Sequence, residues 1–148
     1  TRTRTNYISA SQILLYEPFD NFDNWKLSAP YSATKGGWYI STNGYKGHCA
    51  AYGASTPYSS FLDQYIEREV TLASDGTVIL WILRDPYIVE GSRYIYLDGE
   101  LKYSNTHQGN DQWEKISFAI ARGVHTIKIR GVRYASTDLF DELTILSQ

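Results

Sequence analysis

The chain closes with the stretch GVHTIKIR at residues 123–130, followed by DLFDELTIL at residues 138–146. In the first segment apolar or β-branched residues alternate with polar ones, which is typical of a strand with one buried face. The second segment ends in a β-rich run in which we expect Leu143 and Ile145 to point inward. Together the two segments predict the last two strands of a β-sandwich.

Three carboxylates stand within five residues at this point of the chain, namely Asp138, Asp141 and Glu142. Carboxylates held together beside a buried strand repel one another and resist burial unless a positive charge balances them. Calcium suits such a loop because it takes about 6–8 oxygen ligands from carboxylates, carbonyls and water. In the alternative interpretation, each carboxylate is a solvated turn residue or pairs with Arg68, Lys128 or Arg133.

The rest of the chain predicts short strands at the regular spacing of a sandwich, with no convincing helix. The clearest signal is the pair RYIYL (93–97) and ELKY (100–103), alternating segments joined by the two-residue turn Asp98-Gly99. Residues 77–83 are nearly all apolar, as in a central strand covered on both faces. We count about ten strands and predict an all-β, single-domain sandwich of two antiparallel sheets over residues 13–148.

Composition bounds the functions that the chain can have. With 148 residues, 43% of them hydrophobic, it can bury one core without disulfides. A formal net charge of −2 without a basic stripe leads us to expect no nucleic-acid partner. The longest apolar run, residues 78–83, is too short to cross a bilayer, so we expect no membrane insertion.

The start of the sequence and its single cysteine bear on the compartment. No Met occurs, so we expect Thr1 to follow the cleavage of either a secretory signal or a tag. Removal of a secretory signal implies a secreted protein, extracellular or on the cell surface. Cys49 has no partner for an intramolecular disulfide, which leaves the redox compartment open, and we interpret it as a small core residue.

Residues 1–12 form an N-terminal arm with the pattern of a strand but almost no apolar face. Main-chain hydrogen bonds at a sheet edge can hold such a polar strand. Two interpretations stay open: the arm is an exchanged strand that docks on a neighbouring copy, or it is the ordinary first strand of its own sheet. The residues of the docking arm would be Thr1, Arg2, Thr3, Arg4, Thr5, Tyr7 and Ile8.

The sequence contains no evident catalytic constellation. The histidines, His48, His107 and His125, lack the spacing of metal ligands, and no Ser or Cys stands in a nucleophile context. Glu67 and Glu69 share one strand face, whereas the paired carboxylates of glycosidases normally come from separate strands. We therefore predict a protein that is not an enzyme and interpret His125 as structural.

Several short motifs resemble, in their order along the chain, the landmarks of jelly-roll modules. They are Glu17-Pro18-Phe19-Asp20, Gly37-Trp38, the run GYKGHCA at 44–50, Tyr96-Leu97-Asp98-Gly99, Trp113 leading into residues 123–127, and the segment 138–145. Residues 13–146 thus resemble MAM, cleaved-adhesin and calcium-bearing carbohydrate-binding modules. The resemblance implies a jelly-roll β-sandwich.

In this family an early Glu and a late Asp meet where the first and last strands pair, and they hold a structural Ca²⁺ ion. Carried over to this sequence, the resemblance implies the ligands Glu17 and Asp141, together with Asp20, Asp138 and the backbone near Gly47 and His48.

A second resemblance rests on the processed-looking arm, the lack of Met and the carboxylate pairs. In these features the chain resembles secreted jelly-roll subunits of pili, filaments and tubes, including the calcium-dependent cannula proteins of hyperthermophilic archaea. This resemblance implies our main prediction, an extracellular structural subunit that is stabilised by calcium and polymerises with copies of itself through the arm.

The alternative prediction is a carbohydrate-binding or adhesin module with a polysaccharide partner. In such a module Tyr94, Tyr96 or Trp38 would stack on a sugar face through their apolar rings. Trp81 lies in a wholly apolar strand, and we assign it to the core.

Overall fold

The computed structural model describes residues 12–54, 62–84, 91–106, 109–133 and 136–148. In these ranges the regular structure consists of β-strands alone, which confirms the all-β prediction. The strands are β1 (Ile13–Glu17), β2 (Lys26–Leu27), β3 (Gly36–Gly44), β4 (Gly47–Ala54), β5 (Leu62–Leu72), β6 (Gly76–Leu83), β7 (Gly91–Leu97), β8 (Glu100–Asn105), β9 (Trp113–Ile120), β10 (Gly123–Arg133) and β11 (Ser136–Ser147). No helix in the described residues is long and apolar enough to span a membrane. The predicted arm residues 1–11 lie outside the described ranges.

The strands form two antiparallel sheets packed face to face. The six-stranded sheet has the order β3-β4-β11-β6-β9, with β1 paired to β11, and the five-stranded sheet has the order β2-β5-β10-β7-β8. From β5 onward the chain passes repeatedly from one sheet to the other, so most spatial neighbours are distant in sequence. This topology is the jelly-roll β-sandwich that the motif resemblance implies.

Local sequence patterns place several elements correctly. The hairpin of β7 and β8 turns at Asp98 and Gly99, whose φ angles of 52° and 82° are those that a tight hairpin turn requires. Leu143 and Ile145 point inward from β11 and are buried, as predicted. Cys49 is also buried, and burial raises the pKa of its thiol to about 11, which makes it a poor nucleophile.

The space between the sheets is filled by aromatic and branched side chains from both inner faces. On the six-stranded side, the ring of Trp38 lies 4.8 Å from that of Tyr52 and 5.4 Å from that of Phe140. Ile66, Ile95 and Ile129 contribute the opposite side. Gly131 lies beneath Tyr52, because a Cβ atom at Gly131 would come within 2.3 Å of the tyrosine ring.

Among the described residues, two ion pairs cross the core and join the sheets. Arg93 on β7 donates from Nε and Nη2 to the carboxylate of Asp138 on β11, at 2.6 Å and 3.0 Å. Both side chains are only 1% exposed. Arg68 on β5 donates to Glu17 on β1 at 3.1 Å. In each pair one charge depends on the other for its burial.

The substitution Asp138→Asn is expected to lower the free energy of unfolding by about 3–5 kcal/mol, because it leaves the Arg93 guanidinium buried without its countercharge. The matched control is Asp63→Asn. Asp63 binds Arg130 through two contacts of 2.8 Å, but on an exposed surface, so its loss is expected to cost less than about 1 kcal/mol. Urea denaturation followed by circular dichroism measures both values, and equal losses would contradict the structural role of the Arg93–Asp138 pair.

His125 is bonded through both ring nitrogens, in agreement with the structural role that we predicted. Nδ1 lies 2.6 Å from the Asp98 carboxylate, and Nε2 lies 2.7 Å from the carbonyl oxygen of Ala121. The hydrogen bond to Asp98 raises the pKa of His125, and the same bond lowers the pKa of Asp98. The pair therefore stabilises the fold while both groups are charged.

This pair predicts a pH-dependent contribution to stability. Because the pKa of His125 is raised in the folded protein, its contribution to the unfolding free energy is complete below the pKa of unfolded histidine, about 6.5. This contribution is lost as the pH rises through the pKa of His125 in the folded protein. Because the pKa of Asp98 is lowered in the folded protein, its contribution to the unfolding free energy is present above the pKa of unfolded aspartate, about 3.9. This contribution is lost as the pH falls through the pKa of Asp98 in the folded protein. Because Asp98 is 49% exposed, the largest contribution of the pair to the unfolding free energy is expected to be below about 1 kcal/mol. The unfolding free energies of the native chain and of His125→Gln, compared from pH 3 to 9, should differ most between about pH 4 and 6.5; a constant difference would refute the charged pair.

Candidate functional site

The first and last described strands meet at one junction in the six-stranded sheet. On one edge, β11 pairs with β4 through residues 136–140 and with β1 through residues 143–146. Asp141 and Glu142 lie between these two segments, and Glu17 stands opposite Leu143. The β11–β6 register shifts between Asp141 and Thr144, and Glu142 has a φ angle of 55°. The chain thus brings Glu17 and Asp141 to the same junction.

Asp141 is fully buried and is held by backbone amides. Its Oδ2 accepts a hydrogen bond from the Lys46 amide at 3.0 Å, and its Oδ1 accepts one from the Glu142 amide at 2.7 Å. Burial raises the pKa of Asp141, whereas hydrogen bonds from the amides of Lys46, Glu142 and Tyr45 oppose that rise. The carboxylate is therefore bound to the turn between β3 and β4.

Oxygen atoms converge beside Gly44 in this turn. A Cβ atom at Gly44 would lie 2.6 Å from the carbonyl oxygens of Gly47 and His48 and 2.7 Å from Asp141 Oδ2. Only glycine leaves this space open. Two carbonyls and a carboxylate are hard oxygen donors of the kind that Ca²⁺ accepts. The donor set therefore fits the ion that the motif resemblance implies.

The other predicted metal ligands have protein partners. Glu17 accepts hydrogen bonds from the Phe19 amide at 3.0 Å and from Trp25 Nε1 at 2.7 Å, in addition to its contact with Arg68. Asp138 binds Arg93. Asp20 is exposed and lies 3.3 Å from His48 Nδ1.

Side chains alone do not assemble a metal centre in the part of the chain that the structure describes. No group of three or more His, Cys, Asp or Glu side chains there is arranged to hold a metal. Any ion at the junction would depend on backbone oxygens, so the calcium site stays a prediction.

A row of tyrosines lies on the outer face of the five-stranded sheet. Ile95 points into the core, so its neighbours Tyr94 and Tyr96 on β7 both point outward. Their rings are stacked, with centroids 6.3 Å apart and planes inclined by 27°. Tyr65 on β5 lies on the same face, two strands away across β10. We call Tyr65, Tyr94 and Tyr96 the tyrosine face.

Two cations on β10 hold these rings in place. Lys128 Nζ lies 4.5 Å from the ring centroid of Tyr65 and 5.9 Å from that of Tyr96. The Arg130 guanidinium lies 5.2 Å from the Tyr94 centroid and donates to the Tyr96 hydroxyl at 3.4 Å. The hydrogen bond from Arg130 lowers the pKa of Asp63. These contacts favour the observed positions of the three rings.

The prediction that Trp38 stacks on a ligand is wrong. Trp38 is 1% exposed, and its ring contacts Tyr52 and Phe140 in the core. No surface of the ring is free for a sugar. Strand β3 carries the residue on its inner face, which its neighbours in the sequence do not reveal.

The assignment of Trp81 to the core is also wrong, because this side chain lies on the surface of the sandwich. Its neighbours Leu80 and Ile82 are buried, whereas Trp81 is partly exposed on the outer face of the six-stranded sheet. There its ring stacks on Tyr45, with centroids 4.4 Å apart and planes at 9°, and Trp113 meets Tyr45 edge-on at 5.6 Å. We call Tyr45, Trp81 and Trp113 the tryptophan cluster. The sequence does not predict this cluster, because residues 78–83 are all apolar. Alternation of apolar and polar residues therefore cannot show which side of β6 faces the core.

Comparison with known proteins gives structural neighbours only. No protein-family model matches the chain, and no curated protein matches it either. A cleaved adhesin domain of Lys-gingipain from Porphyromonas gingivalis superposes with a TM-score of 0.70 at 16% identity, covering 94% of this chain and 100% of that domain. The module TmCBM61, solved in complex with β-1,4-galactotriose, superposes with a TM-score of 0.69 at 13% identity. The match covers 88% of this chain and 94% of that module.

A third neighbour is the CBM22-1 xylan-binding domain of Xyn10C from Paenibacillus barcinonensis. It superposes with a TM-score of 0.58 at 11% identity, and the match covers 96% of this chain and 99% of the xylan-binding domain. At these identities the similarity shows the fold. The resemblance to cleaved-adhesin and carbohydrate-binding modules is thereby confirmed.

Proposed function

We propose that the chain is a non-catalytic carbohydrate-binding module of a secreted or cell-surface protein and that the tyrosine face binds the sugar. The observation that carries this proposal is the stacked pair Tyr94 and Tyr96 on the outer face of the sheet, in contact with Lys128 and Arg130. Two structural neighbours support it, since one was solved with a galactotriose and another is described as xylan-binding.

The chemistry of the tyrosine face suits a saccharide. The C–H groups on one side of a pyranose ring are apolar and pack on an aromatic ring, while its hydroxyls need hydrogen-bond partners. Tyr hydroxyls, Lys128, Arg130 and Asp63 supply donors and acceptors around the rings. Because the rings are already held by cations, little side-chain entropy is lost on binding. Tyr65 and Tyr94 are two strands apart, or about 10 Å, so the face accommodates an oligosaccharide.

Our main prediction of a filament or tube subunit has less support. The structural neighbours are adhesin and carbohydrate-binding modules, which favour the alternative. The arm that would join the copies lies outside the described residues. Self-assembly and strand exchange therefore stay predictions.

The double substitution Tyr94→Ala and Tyr96→Ala is expected to weaken binding of galactan or xylan oligosaccharides by at least about tenfold, since a central aromatic contact contributes more than about 1 kcal/mol. Isothermal titration calorimetry measures the affinity. The control is Tyr31→Ala, which removes an exposed tyrosine of the β2–β3 connection. If a folded double variant binds as tightly as the native chain, the tyrosine face is not the binding site.

We further propose that the junction of β1, β4 and β11 holds a structural Ca²⁺ ion. Asp141 and the carbonyls of Gly47 and His48 would be its ligands, because they converge on the space beside Gly44. Asp20, just beyond the end of β1, lies 3.3 Å from His48. Glu17 stands at the same junction, but its carboxylate points between the sheets, where it binds Trp25 and Arg68. When bound, the ion would neutralise Asp141 and link the β3–β4 turn to the closing strand.

Calcium is expected to raise the Tm of protein treated with a chelator. At a concentration a hundred times the dissociation constant, the gain in unfolding free energy is about 2.7 kcal/mol, which corresponds to a rise in Tm on the order of 10 °C. Asp141→Asn should abolish the rise, whereas Asp63→Asn should retain it. Scanning calorimetry with Ca²⁺ and with Mg²⁺ tests the proposal, and an unchanged Tm at millimolar calcium would refute it.

A further inference from the structure

The tryptophan cluster lies on the face of the molecule opposite to the tyrosine face. Trp81 and Trp113 belong to β6 and β9 of the six-stranded sheet, whereas the tyrosine face belongs to the five-stranded sheet. The two sheets pack through their inner faces, so their outer faces point in opposite directions. A ligand on one face does not reach the other.

The geometry of the cluster leaves an aromatic surface open to solvent. Trp81 covers one side of the Tyr45 ring in a nearly parallel stack, and Tyr45 is nevertheless 40% exposed. Trp113 stands at 67° to Tyr45 and forms a second wall. The three residues come from three separate elements, so the corner they form depends on the tertiary fold.

The cluster is preorganised by the turn that carries Tyr45. The amide of the next residue, Lys46, donates to buried Asp141 on β11 at 3.0 Å. Asp141 is the cross-strand partner of Trp81. The turn that carries Tyr45 and the strand that carries Trp81 are therefore both tied to β11, and little ordering is left to be done on binding.

Polar groups border the rings. Lys115 stands opposite Trp81 in the β6–β9 register and is exposed. Tyr16, also exposed, donates its hydroxyl to the Glu142 carboxylate next to the junction. An aromatic corner with hydrogen-bonding groups at its edge suits the apolar face and the hydroxyls of a sugar ring rather than an ion.

We infer that the tryptophan cluster is a second carbohydrate-binding surface, which takes the pyranose rings of a polysaccharide. The ligand class rests on the proposed function; the location does not. With one surface on each outer face, a single module bridges two polysaccharide chains. Such two-sided attachment increases the total strength of binding to a polysaccharide network without any new contact at either surface.

Tryptophan fluorescence isolates this surface from the first one. Of the four tryptophans, Trp25 and Trp38 are buried in the core, and the tyrosine face has none. Quenching by acrylamide therefore reports Trp81 and Trp113. Galactan and xylan oligosaccharides, added at constant calcium, are expected to protect the native chain from quenching.

Matched variants decide the inference. Tyr94→Ala with Tyr96→Ala should keep the protection, and Tyr45→Ala should lose it while circular dichroism shows an intact fold. Lys115→Ala provides a second, milder variant, with weaker protection expected. Beads coated with the same polysaccharide should be cross-linked by the native chain and not by either aromatic variant.

Each other outcome has a defined meaning. If calorimetry detects binding but quenching is unchanged, or if Tyr45→Ala retains full protection, the second surface is refuted and the proposed function stands. If protection depends on Tyr45 while the double tyrosine variant keeps native affinity and cross-linking, the tyrosine face is refuted instead. If no oligosaccharide binds to the native chain, both are refuted.

Discussion

The hydrogen-bond ladder of β11 is the constraint on which the rest of the structure depends. This strand pairs with β6 along one edge and with β4 and β1 along the other. It thereby places the last strand of the chain beside the first described one and leaves Asp141 at the point where β4 gives way to β1. The candidate calcium site, the Tyr45 turn and the position of Trp81 all follow from that arrangement.

Charge inside the sandwich is balanced mainly across the sheets. Arg68 meets Glu17, and Arg93 meets Asp138, each pair linking a strand of one sheet to a strand of the other. Asp141 differs, because amides rather than a cation surround its carboxylate. This difference is why we place the proposed calcium ion at the junction and not at Asp138.

The outer faces carry the chemistry that the core does not need. On one side, cations lie against a row of tyrosines, and on the other a tyrosine and two tryptophans form a corner. Both arrangements are partly exposed, and the proposed sugar ligands would pack on them through their flat apolar faces.

By itself, the sequence determined the features that depend on neighbours along the chain. Alternation identified the strands, Asp98-Gly99 identified the hairpin, and the order of short motifs led to the jelly roll. Tertiary structure alone decided which side of a strand faces inward where both sides are apolar, so Trp38 and Trp81 exchanged their expected places. Tertiary structure alone also determined that Arg93 pairs with Asp138. This contact joins strands from different sheets, so no local sequence pattern predicts it.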